Sequence, residues 1–263
     1  MIIDCHTHLE FYADKQYGAN QLIDSMKKGK IEKALVYAGE MFNCSNEKLL
    51  KEVNPFRKKL FPVGSVSPFS KTRPTPQQVE KLLSSGEIFG LKFYNGYEHF
   101  YPSDDILKPY LALLEKFGLP AVFHSGDTWN QVRGAKLRYA HPLNFDDLAV
   151  DMPNLKIIIA HIGNPWTIDA AEVVYKNKNV YVDCSGLVHD YIKAEDKILL
   201  KRLFSDYFLF GGSVDKVLFG TDWNLCDQND YANFFSRLFR SRSEKKKIFY
   251  ENSIKVFKLQ NYV

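Results

Sequence analysis

Two histidines separated by one residue stand at the end of the first apolar run of the sequence. His6 and His8 lie in the motif D-C-H-T-H at residues 4–8. In a β-strand alternate side chains share one face, so both imidazoles would point the same way. Neutral imidazole is a common ligand for zinc and related metals, and this pair could form half of a metal site. An exposed or structural pair is the alternative, so the interpretation depends on partners elsewhere in the chain.

Four further polar residues lie in or at the end of later apolar runs. Lys92 lies in the fourth run, His124 and His161 belong to the ends of the fifth and sixth, and Asp222 ends the eighth. One histidine at a strand end is usually structural, but several histidines and an aspartate at successive strand ends indicate a shared site. Imidazoles with one carboxylate leave room for water on a metal, which is typical of a catalytic site.

The apolar runs that carry these residues alternate with helical patterns. They are nearly continuous in apolar character, as expected for parallel strands that are covered on both faces. Eight such strands alternating with helices predict an α/β fold, a (β/α)8 TIM barrel, with residues 1–263 as a single catalytic domain. A doubly wound open sheet is the alternative, but no glycine-rich phosphate loop follows the first strand. The predicted strands are 2–8, 33–39, 60–66, 89–94, 121–126, 156–161, 180–185 and 216–222.

Start and stop signals mark several of the helices between these strands. Thr75 followed by Pro76 predicts a helix start, and Gly118 predicts the end of a later helix. Asn144 is predicted to cap the helix that runs towards Met152, and residues 191–210 and 229–240 are also helical by pattern. In a barrel of this kind the active site lies at the C-terminal ends of the strands, where the polar residues above are found.

Composition places the chain among globular proteins, since 45% of its 263 residues are hydrophobic and 25% are charged. The net charge of +4 is spread along the chain and does not indicate a nucleic-acid partner. The four cysteines are isolated, as expected for buried thiols in a reducing compartment. The sequence has neither a signal-peptide pattern nor an apolar run of membrane length, so we expect a cytoplasmic protein without a membrane partner.

Five short motifs spread over the whole chain form a specific combination. They are D-C-H-T-H at the start, F-H-S-G around His124, P-N-L-K-I-I-I-A-H-I-G at 153–163, L-F-G-T-D-W around Asp222 and E-N-S-I-K-V-F at 251–257. Together they resemble the amidohydrolase superfamily, in its amidohydrolase-related branch of metal-dependent hydrolases, lactonases and decarboxylases.

The resemblance implies a divalent metal, usually Zn²⁺ with Mn²⁺ as an alternative, bound by His6, His8, His124 and Asp222. It also implies that Asp222 takes a proton from a metal-activated water. His161 would act as a general acid or base, as an electrostatic helper or as a ligand of a second metal. Some lactonases of the family work without metal, so metal dependence here is inferred from the ligands.

Lys92 has three interpretations. In some members of the superfamily a lysine of the fourth strand is carboxylated and bridges two metals. It could instead bind a substrate carboxylate as a point charge, or it could be paired structurally within the barrel. A sequence carries no record of such a modification.

Loops after the strands usually shape the substrate pocket of a barrel, although local packing is the alternative for each aromatic residue. The residues predicted to bind substrate are Lys92, Tyr94, Trp129, Arg133, Trp166 and Trp223.

We therefore predict a metal-dependent hydrolase that cleaves a C–O or C–N bond of a small molecule of the lactone, ester or amide type. The alternative is a non-oxidative decarboxylase of a small aromatic carboxylic acid on the same metal site. A TatD-type nuclease is disfavoured because Lys92 stands where those proteins have a glutamate and because no basic stripe is present. An inactive binding protein on the same barrel is a third class. The predicted partner is a small molecule, carboxylate-bearing in one alternative, and homo-oligomerisation stays open.

Overall fold

A computed structural model describes residues 1–11, 16–129, 132, 134–188, 196–239 and 241–263. Eight parallel strands follow one another around a single sheet in sequence order, which confirms the predicted TIM barrel. A short antiparallel hairpin, Glu10–Phe11 with Gln16–Tyr17, follows the first strand. The barrel strands are β1 (Ile3–His8), β2 (Lys33–Tyr37), β3 (Leu60–Ser65), β4 (Leu91–Phe93), β5 (Pro120–Phe123), β6 (Lys156–Ile159), β7 (Val180–Asp183) and β8 (Val217–Leu218).

The helices cover the outside of the barrel. Two predicted signals are confirmed, because the Thr75 side chain accepts a hydrogen bond from the Gln78 amide and Gly118 ends its helix with φ 62°. The predicted cap at Asn144 is wrong by one residue, since Leu143 precedes the helix there. Residues 191–195 of the predicted seventh helix lie outside the described residues. The helices are α1 (Ala19–Gly29), α2 (Asn46–Val53), α3 (Pro76–Ser84), α4 (Lys108–Phe117), α5 (Asn144–Asp151), α6 (Thr167–Lys176), α7 (Asp196–Leu209), α8 (Gln228–Leu238), α9 (Arg242–Lys246) and α10 (Asn252–Phe257).

The barrel closes where the chain after β8 meets β1. The Cys5 amide donates to the Phe219 carbonyl (2.8 Å), and the Asp222 amide donates to the His6 carbonyl (2.8 Å). The Asp4 carboxylate stabilises this closure of the barrel by accepting hydrogen bonds. The donors lie in β1, in the turn after β8 and at the start of α8. They are the amide of His6 (3.2 Å), the amide and hydroxyl of Thr221 (2.9 and 2.6 Å) and the amide nitrogen of the Gln228 side chain (2.7 Å).

Apolar residues fill two layers, one inside the barrel and one between strands and helices. Cys5 and Tyr37 belong to the inner layer, and the His6 ring packs on Tyr37 with centroids 4.5 Å apart. The prediction for β1 was a strict alternation of side chains that places Cys5 and His6 on opposite faces. A register shift between Asp4 and Thr7 interrupts this alternation. All four cysteines are buried, as predicted. Among the described helices, none combines the length and the apolar character required for a membrane span.

Candidate metal centre and active site

The imidazoles of His6 and His8 and the carboxylate of Asp222 converge at the C-terminal end of the strands. The two Nε2 atoms lie 3.1 Å apart, and Asp222 Oδ1 lies 3.6 Å from His6 Nε2 and 3.3 Å from His8 Nε2. The histidines come from β1, whereas Asp222 lies in the turn after β8 with a left-handed backbone (φ 65°). Three of the four predicted ligands therefore meet at one point.

The chemistry of these three side chains fits a divalent metal. His6 Nδ1 lies 2.8 Å from the Asp183 carboxylate, which fixes the proton on Nδ1 and leaves a lone pair on Nε2. Burial lowers the pKa of His6 to about 3, with a further contribution from Lys92, so its ring is neutral. Lone pairs that face one another at these distances repel unless a proton or cation lies between them. Two imidazole nitrogens and a carboxylate oxygen are ligands that zinc and related metals prefer.

Asp183 supports the site from behind and was missed by the sequence analysis. Besides the His6 ring, its carboxylate accepts hydrogen bonds from the backbone amides of His161 (3.0 Å) and Ser185 (3.1 Å). Burial alone would raise its pKa, but His6, followed by His161 and Lys92, lowers it well below the usual range. A second group, formed by His6, His161 and Asp183, also has ligand atoms within 4.8 Å of one another. Because N–H groups already donate to the Asp183 carboxylate, we assign Asp183 the role of orienting the His6 ring and not that of a metal ligand.

His161 lies beside the predicted ligands but not at the end of a strand. Strand β6 ends at Ile159, and the chain then takes left-handed conformations at His161 (φ 58°) and Ile162 (φ 51°). The prediction that the sixth strand extends to His161 is therefore wrong, because this turn ends the pairing. The ring of His161 lies between those of His6 (centroids 5.0 Å) and His124 (5.1 Å).

His124, the fourth predicted ligand, lies outside the group formed by His6, His8 and Asp222. Its Nε2 is 2.9 Å from the Asp127 carbonyl, and its ring packs on Tyr97 with centroids 4.6 Å apart. Its role as a ligand stays a prediction.

His124 lies in the loop after β5, and His161 lies in the loop after β6. These two loops are in direct contact. The Asp127 amide donates to the Asn164 carbonyl (2.8 Å). Gly126, with φ 91°, approaches so closely that a Cβ there would lie 2.0 Å from the Asn164 oxygen. Only glycine fits this approach, since both the backbone conformation and the space exclude a side chain.

Lys92 is buried in the wall of the site, with 1% of its surface exposed. Its Nζ lies 3.4 Å from His6 Nε2 and over the rings of Tyr37 (5.4 Å) and Tyr94 (5.5 Å). Burial lowers its pKa to about 8, although Asp183 and Asp222 act in the opposite direction. The ammonium group therefore lies next to the same nitrogen that a metal would use.

Of the predicted substrate-binding residues, Lys92 and Tyr94 lie next to the three converging side chains. The Tyr94 hydroxyl donates to the Ala38 carbonyl (2.7 Å), and its ring lies 6.3 Å from that of His8. Phe42, which sequence analysis missed, packs closer to His8, with centroids 4.4 Å apart. Its position as an aromatic residue in the loop after the second strand was the sequence signal that could have identified it.

The other predicted substrate-binding residues are placed differently. Trp129 is 57% exposed, Trp166 packs on His141 with centroids 4.7 Å apart, and Trp223 is buried in the outer core layer. Arg133 lies outside the described residues. Their roles in substrate binding stay predictions.

The chain belongs to the amidohydrolase family, whose model matches residues 3–259. This match confirms the resemblance seen in the motifs and the expectation of an enzyme of that superfamily. No curated protein matches the chain in sequence.

The similarity to solved structures of the same fold covers nearly the whole chain. One is a probable 2-pyrone-4,6-dicarboxylic acid hydrolase from Acinetobacter baumannii with citric acid bound, at 14% identity and a TM-score of 0.74, covering 98% of this chain and 99% of that one. A second is a 5-carboxyvanillate decarboxylase from Sphingomonas paucimobilis, at 14% identity and 0.69, covering 98% of each. A third is an amidohydrolase from Burkholderia multivorans with bound zinc, at 15% identity and 0.72, covering 98% and 99%. At such identities the likeness shows the shared fold.

Proposed function

We propose that this protein is a metal-dependent hydrolase that cleaves a C–O or C–N bond in a small lactone, ester or amide. The observation that carries the proposal is the convergence of the His6, His8 and Asp222 ligand atoms within 3.1–3.6 Å. The position of the cluster supports it as well, since barrel enzymes place their chemistry at this end of the strands.

The metal in this proposal is Zn²⁺, with Mn²⁺ as the alternative, held by His6, His8 and Asp222 with His124 as the fourth ligand of the family pattern. When bound, such an ion lowers the pKa of a water molecule and polarises a carbonyl oxygen. Support comes from the donor set and from Asp183, which orients the His6 ring as carboxylates commonly do behind metal ligands.

Proton transfer falls to Asp222 and His161. Burial would raise the pKa of Asp222, but the contacts with His8, His6 and His161 lower it well below its usual range. Its carboxylate is therefore ionised at neutral pH and able to accept a proton. Asp222 would hand that proton to His161, on the neighbouring loop, and His161 would return it to the leaving group. The four buried thiols support a cytoplasmic location for the enzyme.

A second candidate, decarboxylation of a small aromatic carboxylic acid, is favoured by one specific feature. Lys92 places a buried positive charge beside His6, and the aromatic rings of Phe42 and Tyr94 lie against His8. A carboxylate could bind the ammonium group while its aromatic ring stacks on these side chains.

One screen separates the candidates. Protein stripped of metal and then supplied with zinc or manganese is assayed against lactones, amides and aromatic carboxylic acids in isotopically labelled water. Hydrolysis incorporates the solvent oxygen into the product, whereas decarboxylation releases the carboxyl carbon as carbon dioxide. His8→Ala should abolish turnover, and the matched variant His99→Ala, at an exposed histidine, should retain it. Full turnover by stripped protein and by His8→Ala would contradict metal dependence.

A further inference from the structure

Ser185 connects Asp183 to His161 at the back of the site. Its hydroxyl lies within hydrogen-bond distance of the Asp183 carboxylate and 2.9 Å from His161 Nδ1. Its backbone carbonyl lies 3.3 Å from the same nitrogen. Ser185 is completely buried, so water does not compete for these contacts.

The direction of these hydrogen bonds follows from what each atom can donate. The Ser185 carbonyl can only accept, so His161 Nδ1 must carry the hydrogen that faces it. The Asp183 carboxylate also only accepts, and it takes the hydroxyl proton of Ser185. The Ser185 oxygen is then left as an acceptor, and it faces the His161 N–H at 2.9 Å and the His6 Nδ1–H at 3.0 Å. Both contacts of His161 Nδ1 therefore require one tautomer.

The surroundings hold the His161 ring in this orientation. Its backbone amide donates to Asp183 Oδ1, the oxygen that also accepts from Ser185. Gly186 packs against the ring so closely that a Cβ there would lie 3.0 Å from His161 Nδ1 and 3.1 Å from Asp222 Oδ2. No hydrogen-bond partner among the described residues faces His161 Nε2, in contrast to Nδ1.

We propose that Ser185 is a positioning residue that fixes the Nδ1–H tautomer of His161 and so presents the Nε2 lone pair to the reacting group. The role in turnover rests on the proposed function, whereas the tautomer itself does not. The hydrogen bonds from His161 to Ser185 and from Ser185 to Asp183 thus make His161 a proton acceptor at Nε2 before any substrate binds. Selecting a tautomer through a hydrogen-bonded neighbour is a known way to prepare a histidine for proton transfer.

The direct test is the tautomer in metal-free protein. Long-range proton–nitrogen correlation spectra of nitrogen-labelled protein should show a protonated Nδ1 and a bare Nε2 for the signals that disappear in His161→Gln. Ser185→Ala removes the nearer acceptor (2.9 Å) and leaves only the carbonyl at 3.3 Å, so it should raise the fraction of the Nε2–H tautomer. Ser185→Thr, which keeps the hydroxyl, should restore the native spectrum. A native ring protonated at Nε2, or an unchanged spectrum in Ser185→Ala, overturns the proposal.

Kinetics test the functional consequence with whichever substrate the screen identifies. Ser185→Ala should lower kcat by roughly 10–100-fold with little change in KM, as is usual when a supporting hydrogen bond is removed. Ser185→Thr should recover most of the rate. Ser253→Ala is the matched control, because this buried serine has a hydroxyl without a hydrogen-bond partner among the described residues.

The two proposals fail in different ways. A tautomer that responds to Ser185→Ala in a protein that turns over no substrate would contradict only the proposed function. An altered tautomer with an unchanged kcat would overturn the positioning role of Ser185 while leaving the hydrolase intact.

Discussion

At the scale of single residues, Asp222 combines two predicted roles, metal ligand and proton acceptor. Asp222→Asn keeps the size of the side chain and one oxygen but removes the negative charge. We expect turnover to fall by at least about 10²-fold and the bound metal to decrease, with an unchanged unfolding midpoint of the metal-free protein. Steady-state kinetics, metal analysis and thermal unfolding measure the three effects. The matched control is Asp151→Asn at an exposed position, and a full rate in Asp222→Asn would contradict the assignment.

Sequence analysis found the residues whose type is unusual in an apolar run, and missed those that act through a neighbour. His6, His8 and Asp222 were identified in this way, and they converge. Asp183 lies within the seventh predicted strand, 180–185, and carried the same signal, but its role depends on a contact with His6, which is 177 residues away in the sequence. Trp223 was assigned to the pocket because it follows Asp222; it is 6% exposed and packs on Tyr17, and its role in substrate binding stays a prediction. The direction of a side chain in an irregular turn cannot be read from sequence.

At the scale of elements, Asp4 ties β1 to the segment that follows β8 and to α8. Asp4→Ala leaves the buried donors of Thr221 and Gln228 without their acceptor. We expect a loss of about 3–5 kcal/mol in the free energy of unfolding and a fall of roughly 10 °C in Tm.

Asp24→Ala in α1 is the control for this change, because Asp24 is 68% exposed and pairs with the exposed Lys27. It should leave the stability almost unchanged. Chemical denaturation of both variants supplies the comparison, and equal stabilities would refute the structural role given to Asp4.

The order and number of strands could be predicted, but their ends could not. All eight predicted strands exist. They could be recognised because strands that are covered on both faces give continuous apolar runs. Strand β8 is only Val217–Leu218, although apolar residues continue, because the Phe219 amide donates to the carbonyl of Ile248 instead. The early end of β6 has a similar origin in a left-handed turn at His161. Such ends depend on contacts between distant segments rather than on local pattern.

At the scale of the whole molecule, metal binding should stabilise the fold independently of any substrate. A ligand at a hundred times its Kd adds about 3 kcal/mol to the free energy of unfolding, which corresponds to a rise in Tm of roughly 5–10 °C for a chain of this size. We expect this rise when zinc is added to stripped protein. It should disappear in His8→Ala and persist in His99→Ala, as measured by scanning calorimetry. The same response in His8→Ala would place the ion elsewhere.

The contact between Gly126 and Asn164 limits how this enzyme could acquire a new substrate range. A side chain cannot be introduced at Gly126 without displacing the main chain of the adjoining loop. A change that moves this contact would shift His124 and His161, which lie in the two touching loops, together. New specificities are therefore more accessible through Phe42 and Tyr94, whose rings lie near His8.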